Sequence, residues 1–213
     1  MGKFLNAEVS SQLREIFSQM TKATKIVLFI DGSCDTCLET KQLLEETVEL
    51  SDKLSLDVFE IKEKGEEAKK YDVTLTPSFV FLDDKGVYQG VKFNGIPGNH
   101  EFITFITAIM EMGGAEIPYP ASIVERIKKI DKPVNIKVFV TLSCPHCPEA
   151  VTNAHRLAML NKNVTGEMIE AQTFYELSQQ YNVSGVPKIV INDKYELIGN
   201  QPVEQFLKVI EDL

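Results

Sequence analysis

Hydrophobic residues in the first part of the chain recur at spacings that predict helices and strands in alternation. Apolar side chains at 7–20 repeat at helical intervals, and a helical pattern returns at 40–51. Between them, the uninterrupted apolar run at 26–30 has the length of a central strand that is covered on both faces. Residues 54–61 are also strand-like. This part of the chain therefore predicts helix, strand, helix, strand.

The alternation continues through the rest of the first half. A short charged helix at 66–73 precedes an alternating strand pattern at 78–83 and the hairpin turn signal DDKG. Residues 86–93 supply the paired strand, and 99–112 form a closing helix. A right-handed crossover followed by a hairpin predicts the α/β class, with a mixed four-stranded sheet flanked by helices on both faces.

The second half repeats this order at an offset of 110 residues. KIVLFIDGSC at 25–34 aligns with NIKVFVTLSC at 135–144, and YDVTLTPSFV at 71–80 aligns with YNVSGVPKIV at 181–190. Matches of this length indicate a tandem duplication. Glycines and prolines in GGAEIPYPAS interrupt the helical pattern between the halves, so we expect domains at 1–117 and 118–213.

The composition narrows the class of protein. The chain has 213 residues, a net charge of -9 and 44% hydrophobic residues, as in an ordinary globular protein. An acidic surface disfavours binding to nucleic acid or to an anionic membrane through general electrostatics. The N-terminus lacks a signal-peptide pattern and no run approaches the roughly 18 apolar residues of a membrane span. We therefore expect a cytoplasmic protein, in which cysteine pairs more often do chemistry than form structural disulfides.

The four cysteines form two C-x-x-C pairs, Cys34 with Cys37 and Cys144 with Cys147. Each pair lies where a predicted central strand ends and a helix begins. The unpaired N–H groups and partial positive charge of a helix N-terminus stabilise a thiolate, which is the reactive form of cysteine. We expect the first cysteine of each pair to attack a substrate disulfide and the second to resolve the mixed disulfide.

The residues between the cysteines differ at the two sites. In CPHC, a positive charge on His146 would stabilise the thiolate of Cys144 and make that disulfide more oxidising. In CDTC, Asp35 puts a negative charge beside Cys34 but also favours the helix dipole, so its net effect stays open. We expect the second site to be the more oxidising and the more active of the two.

A proline follows each cysteine pair at the same distance. Pro77 lies 43 residues after Cys34, and Pro187 lies 43 residues after Cys144. Each follows a turn-like stretch and starts a strand, a setting that suits a cis proline. The backbone of the preceding residue could then pair with an extended substrate strand.

The sequence allows two interpretations of a pair of acidic residues on strands predicted to lie near the cysteines. Glu60 and Glu170 occupy matching positions in strands that should neighbour those leading to the cysteines. One reading is an acid at a strand end that faces water. The other is a partly buried carboxylate that exchanges a proton with the second cysteine of its pair.

A C-x-x-C at a strand-to-helix junction, with a proline about 43 residues later, resembles the thioredoxin fold. Two such units in one chain resemble the glutaredoxin-like protein disulfide oxidoreductases of thermophilic bacteria and archaea, which are related to protein disulfide isomerase. The resemblance implies dithiol–disulfide exchange on protein substrates and re-reduction by a thioredoxin-reductase-like flavoenzyme. The tryptophan that commonly precedes the motif is absent, and serine takes its place.

Other readings of the cysteines remain open. Zinc sites also use cysteine pairs, but a second pair usually follows after about 15–20 residues, whereas 106 residues separate these. A structural disulfide closing a two-residue loop would constrain the unfolded chain little. A dedicated electron relay to a peroxiredoxin or similar partner is the alternative function. The chain has no phosphate-binding glycine motif, so we expect no bound cofactor. The wide separation of the cysteine pairs leads us to expect no metal.

Cys144→Ser should remove most of the disulfide-exchange activity, and Cys34→Ser should remove less, because we expect CPHC to be the more oxidising site. Exchange rates of the two variants on one disulfide substrate measure this ranking. An equal loss from both variants, or a larger loss from Cys34→Ser, would contradict it.

Overall fold

A computed structural model describes residues 3–32, 34 and 36–213. Asp35, which the sequence implicates in tuning the first site, lies outside the described residues. The elements follow in the predicted order in both halves. In the first half these are α1 Ala7–Phe17, β1 Thr24–Ile30, α2 Cys37–Val48, β2 Leu54–Glu60, α3 Gly65–Lys70, β3 Ser78–Leu82, β4 Tyr88–Asn94 and α4 Glu101–Met112.

The second half repeats the series one element at a time. Its elements are α5 Ala121–Lys128, β5 Val134–Val140, α6 Cys147–Leu160, β6 Val164–Glu170, α7 Tyr175–Gln180, β7 Lys188–Ile191, β8 Tyr195–Ile198 and α8 Val203–Glu211. The predicted α/β class with tandem units is therefore confirmed. Boundaries shift by a few residues because helix ends depend on local capping and on packing against other elements.

The chain forms two compact units that do not coincide with its halves. One unit contains the residues up to Tyr88 together with Ile109–Glu116, and the other contains Gln89–Ala108 together with Ile117–Leu213. All of strand β4 after Tyr88 and the first two turns of α4 thus group with the second unit. The domain boundary at 117/118 remains a prediction about where the sequence repeat divides.

Strand β1 is the centre of the first unit. It pairs with β2 in parallel and with β3 antiparallel, so that Leu28 lies beside Val58 on one side and Phe79 on the other. All but one residue of β1 is buried, as the apolar run predicts. A strand pairs with each edge of β1, which fixes the point at which the chain leaves the sheet.

Strand β5 plays the same part in the second unit. It pairs with β6 in parallel and with β7 antiparallel, and β8 and β4 extend the sheet on its two sides. Equivalent residues form the two cores: Phe29 and Val80 in the first unit, and Phe139 and Val190 in the second. The repeat in the sequence is thus a repeat of core positions.

Gly166 allows α6 to lie directly against β6. A Cβ atom at this position would come within 2.5 Å of the carbonyl oxygen of Ala154. That oxygen belongs to the backbone of α6, so it can retreat only if the helix moves. Because α6 starts at Cys147, this close approach helps to fix the position of the second cysteine pair.

His155 lies on α6, fully buried. Its Nε2 atom is 3.2 Å from the carbonyl oxygen of Lys92, and its ring packs against Phe93 with centroids 4.7 Å apart. Nδ1 is buried without a hydrogen-bond partner. Burial lowers the pKa of His155 to about 4, so the ring is neutral in the folded protein at neutral pH.

Gly166→Ala should lower the free energy of unfolding by about 1–3 kcal/mol, as for other overpacked cores, because the new methyl group meets the backbone of α6. Gly185→Ala is the matched control, since its Cβ would have no neighbour within 4 Å. Chemical denaturation of the two variants gives the comparison. Similar stability losses in both would contradict a close contact at Gly166.

His155 should make the folded state less stable as the pH falls from 6.5 towards 4. Over this range the unfolded imidazole takes up a proton at its ordinary pKa, while the buried ring does not. The full difference is about 3 kcal/mol at about 1.4 kcal/mol for each pKa unit. Denaturation of the wild type and of His155→Gln across this range measures it, since Gln keeps a donor for Lys92.

His100→Gln is the control for that experiment, because His100 is exposed. The stability profile of His155→Gln should be flatter than those of the wild type and of His100→Gln. Three profiles of equal slope would show that His155 is not the group responsible.

Candidate active site

The second cysteine pair lies at the start of α6. Cys144 and Cys147 are joined by a disulfide bond. Cys147 is the first residue of the helix and is completely buried, whereas Cys144 keeps 8% of its surface exposed. The Cys144 N–H donates to the Thr141 carbonyl oxygen at 3.0 Å, which closes the turn between β5 and the helix. Cys144 is therefore the more accessible sulfur of the pair.

The proline loop lies against this sulfur. The Val186–Pro187 peptide bond is cis, as is Thr76–Pro77 in the first repeat. Cys144 Sγ is 3.9 Å from the carbonyl oxygen of Val186, and the Gly199 N–H donates to the carbonyl oxygen of Pro187 at 2.9 Å. Residues more than 40 positions apart in sequence thus meet at the second cysteine pair.

The first cysteine pair has the same local arrangement. Cys34 and Cys37 form a disulfide bond, Cys37 begins α2, and 2% of Cys37 is exposed. The Asp31 N–H donates to Cys37 Sγ at 3.4 Å, and the Cys34 N–H donates to the Asp31 carbonyl oxygen at 2.9 Å. Both pairs therefore place one sulfur in the core at a helix start and leave the other nearer the surface.

The residue two positions after the first cysteine of each pair differs in its side chain between the two sites. His146 and Thr36 are the N-cap residues of α6 and α2, with similar backbone angles and no side-chain capping bond. His146 is exposed, and Thr36 Oγ1 is 4.0 Å from Cys34 Sγ. A titratable ring thus stands where the first site has a neutral hydroxyl.

The two strand-end acids differ in their surroundings. Glu60 is half-buried at the end of β2, and its carbonyl oxygen accepts from the N–H groups of Glu63 and Lys64. Glu170 is buried, and its carboxylate accepts from the Thr173 N–H and hydroxyl, each at 2.6 Å. The side chain of Glu170 thus holds the turn that leads to α7. A proton-transfer role for either acid remains a prediction.

Glu101 is an acid that the sequence pattern did not single out. Its residue surface is 0% exposed, Oε2 accepts from the Thr104 hydroxyl at 2.8 Å, and Oε1 is buried without a partner. Burial raises the pKa of Glu101 to about 7. The adjacent His100 N–H donates to the carbonyl oxygen of Leu142 at 3.4 Å, in the loop that leads to Cys144. An acid at a helix start normally suggests only a favourable helix dipole, so no local pattern pointed to this residue.

Two features are absent from the described part of the chain. Within it, no group of three or more His, Cys, Asp or Glu side chains is arranged to hold a metal ion. No helix in this part of the chain combines the length and the apolar character that a membrane span requires.

The family model for the thioredoxin domain matches residues 24–97 and 134–211, one match in each repeat. The alkyl hydroperoxide reductase protein AhpF of Staphylococcus aureus (strain NCTC 8325 / PS 47) is 30% identical over 203 residues. The AhpF protein of Pseudomonas aeruginosa is 30% identical over 207 residues. These matches cover 95% and 97% of this chain, but the chain spans only 37% of the length of either relative.

Solved structures of similar length match nearly all of the chain. The NTD_N/C domain of alkylhydroperoxide reductase AhpF from Enterococcus faecalis has a TM-score of 0.91 at 29% identity, covering 97% of this chain and 100% of that one. A protein disulfide oxidoreductase from Aeropyrum pernix has a TM-score of 0.89 at 27% identity, covering 97% and 92%. The chain belongs to the thioredoxin-domain family, with one such domain in each of its two repeats.

Proposed function

We propose that the chain is a protein disulfide oxidoreductase in which Cys34 and Cys144 are the attacking cysteines. The observation that carries the proposal is the repeated geometry. In each repeat a C-x-x-C disulfide joins a buried sulfur at a helix start to a less buried one. Similarity to the Aeropyrum pernix protein disulfide oxidoreductase over 92% of that chain supports it.

The reaction at the second site needs two sulfur displacements. In the reduced protein, the Cys144 thiolate attacks a substrate disulfide, forming a mixed disulfide and releasing one substrate thiolate. Cys147 loses its proton and attacks Cys144, which releases the second substrate thiolate and leaves the Cys144–Cys147 disulfide. Two electrons pass to the substrate, whose two thiolates take up protons. Substrate oxidation runs through the same steps in reverse.

The structure supports particular roles for the surrounding residues. The Val186 carbonyl lies 3.9 Å from Cys144 Sγ, so an extended substrate strand paired with this backbone would bring its sulfur to the site. Pro77 and Pro187 hold the two equivalent loops. His146 is exposed beside Cys144, where its protonated form would stabilise the thiolate.

Glu101 is a candidate for the proton transfers of the second site, because it is buried next to a residue whose backbone contacts the loop before Cys144. A carboxyl group with a pKa of about 7 exchanges protons readily near neutral pH, which is the property required of a general acid or base. It stands one residue from the backbone contact between His100 and Leu142. We infer that Glu101, more than Glu170 with its occupied carboxylate, serves the buried Cys147.

A dedicated electron relay is the second candidate function. The AhpF relatives match almost the whole chain, yet the chain spans only 37% of their length. A chain of this kind would carry electrons from a thioredoxin-reductase-like flavoenzyme to a peroxiredoxin in the cytoplasm. The proposed disulfide chemistry is the same, but the electrons would reach one partner instead of many protein substrates.

The full chain should reduce insulin with dithiothreitol as electron donor and should also speed the refolding of scrambled ribonuclease. Insulin turbidity and recovered ribonuclease activity measure the two reactions. Cys144→Ser/Cys147→Ser should lose most of both activities, because we expect the second site to dominate. Cys34→Ser/Cys37→Ser is the matched control and should lose less.

Insulin reduction without any effect on scrambled ribonuclease would favour the relay. No activity in either assay, with both disulfides still reducible, would contradict a general oxidoreductase.

A further inference from the structure

An ion pair lies beside the first cysteine pair. Asp31, the residue after β1, contacts both cysteines through its backbone: its N–H donates to Cys37 Sγ, and its carbonyl accepts from the Cys34 N–H. The carboxylate of the same residue is 3.0 Å from the ammonium group of Lys62. The residue whose backbone contacts both cysteines therefore also carries the negative half of an ion pair.

The backbone brings the two charged residues together. The Ile61 N–H donates to the carbonyl oxygen of Ile30 at 2.9 Å, which extends the pairing of β1 and β2 by one step. Asp31 follows Ile30, and Lys62 follows Ile61, so the two charged residues come next after this hydrogen bond. The Asp31 side chain is 19% exposed and that of Lys62 is 72% exposed, so the carboxylate is the more shielded of the two charges.

The second repeat has the same backbone without the charges. The Cys144 N–H donates to Thr141 at 3.0 Å, and the Ala171 N–H donates to the Val140 carbonyl at 2.8 Å. At the offset of 110 residues, Thr141 corresponds to Asp31 and Gln172 corresponds to Lys62. Equivalent positions are thus neutral at one site and oppositely charged at the other, on one shared scaffold.

The two charges act in opposite directions on a thiolate. A carboxylate disfavours a nearby sulfur anion, and an ammonium group favours it. Reduction of the disulfide by two electrons and two protons gives two thiols, and thiolate formation stabilises this reduced form further. The carboxylate therefore makes the site more reducing, and the ammonium group makes it more oxidising.

We propose that Asp31 and Lys62 are opposing positioning residues that set the reduction equilibrium of Cys34 and Cys37. The inference rests on the proposed function, since it concerns the same dithiol. Neither residue reacts. Each changes the balance between disulfide and dithiol through its charge, and together they hold the site close to the equilibrium of a neutral pair.

The experiment isolates the first site in the full chain by Cys144→Ser/Cys147→Ser. The protein is equilibrated with reduced and oxidised dithiothreitol, and the disulfide fraction is measured by thiol alkylation. Lys62→Gln should favour the disulfide about threefold, a shift of about 14 mV at 29.6 mV for each tenfold change. Asp31→Asn should shift the equilibrium by a similar factor in the opposite direction.

The double variant Asp31→Asn/Lys62→Gln should return close to the equilibrium of the protein with Asp31 and Lys62 unchanged. Lys62→Arg keeps the positive charge and should show that same equilibrium. Lys25→Gln is the control for net charge, because Lys25 forms a 3.1 Å ion pair with Asp57 on the same two strands. High salt should shrink the Lys62→Gln shift more than the Asp31→Asn shift, since Lys62 is exposed and Asp31 is shielded.

Opposite shifts that cancel would support the proposal. Shifts of the same sign, no shifts, or an equal effect of Lys25→Gln would overturn it while leaving the proposed function intact. A first site that never equilibrates with dithiothreitol would instead count against the proposed function of that site. Thermal unfolding of each variant separates loss of structure from a change in redox equilibrium.

Discussion

The chemistry of this protein depends on the point at which a buried strand ends and a helix begins. Strands β1 and β5 have neighbours on both sides, so the next residues must leave the sheet at its carboxyl edge. The helices that follow start at Cys37 and Cys147. The partial positive charge at a helix N-terminus favours a sulfur anion there. A cysteine in the middle of a strand or of a helix would lack this support.

One scaffold with two sets of charges explains how the sites can differ. The turn from strand to cysteine is closed by the same backbone hydrogen bond in both repeats, to Asp31 in one and to Thr141 in the other. The differences lie in the side chains of matching positions: Asp31 pairs with Lys62 in the first repeat, whereas the second repeat has the neutral Thr141 and the exposed His146. Duplication thus kept the position of the sulfurs and left their electrostatic environment free to diverge.

The second unit contains buried polar groups that a hydrophobic core alone would not need. Glu101 and His155 are both buried, and burial moves their pKa values in opposite directions, raising that of the acid and lowering that of the base. Each is thereby driven towards its neutral form. For Glu101, the result is a carboxyl group with a pKa of about 7, in the residue that follows the backbone contact between His100 and Leu142.

Patterns along the chain were enough to predict the repeat, the order of elements and the positions of both cysteine pairs and both prolines. These follow from local signals, because hydrophobic spacing and turn residues act over a few positions along the chain. Three-dimensional packing was needed to show that the Glu170 carboxylate holds a turn, that Glu101 is buried and that Asp31 meets Lys62. The ion pair joins residues 31 positions apart. Burial of the acid depends on packing by distant segments, so no local pattern encodes either outcome.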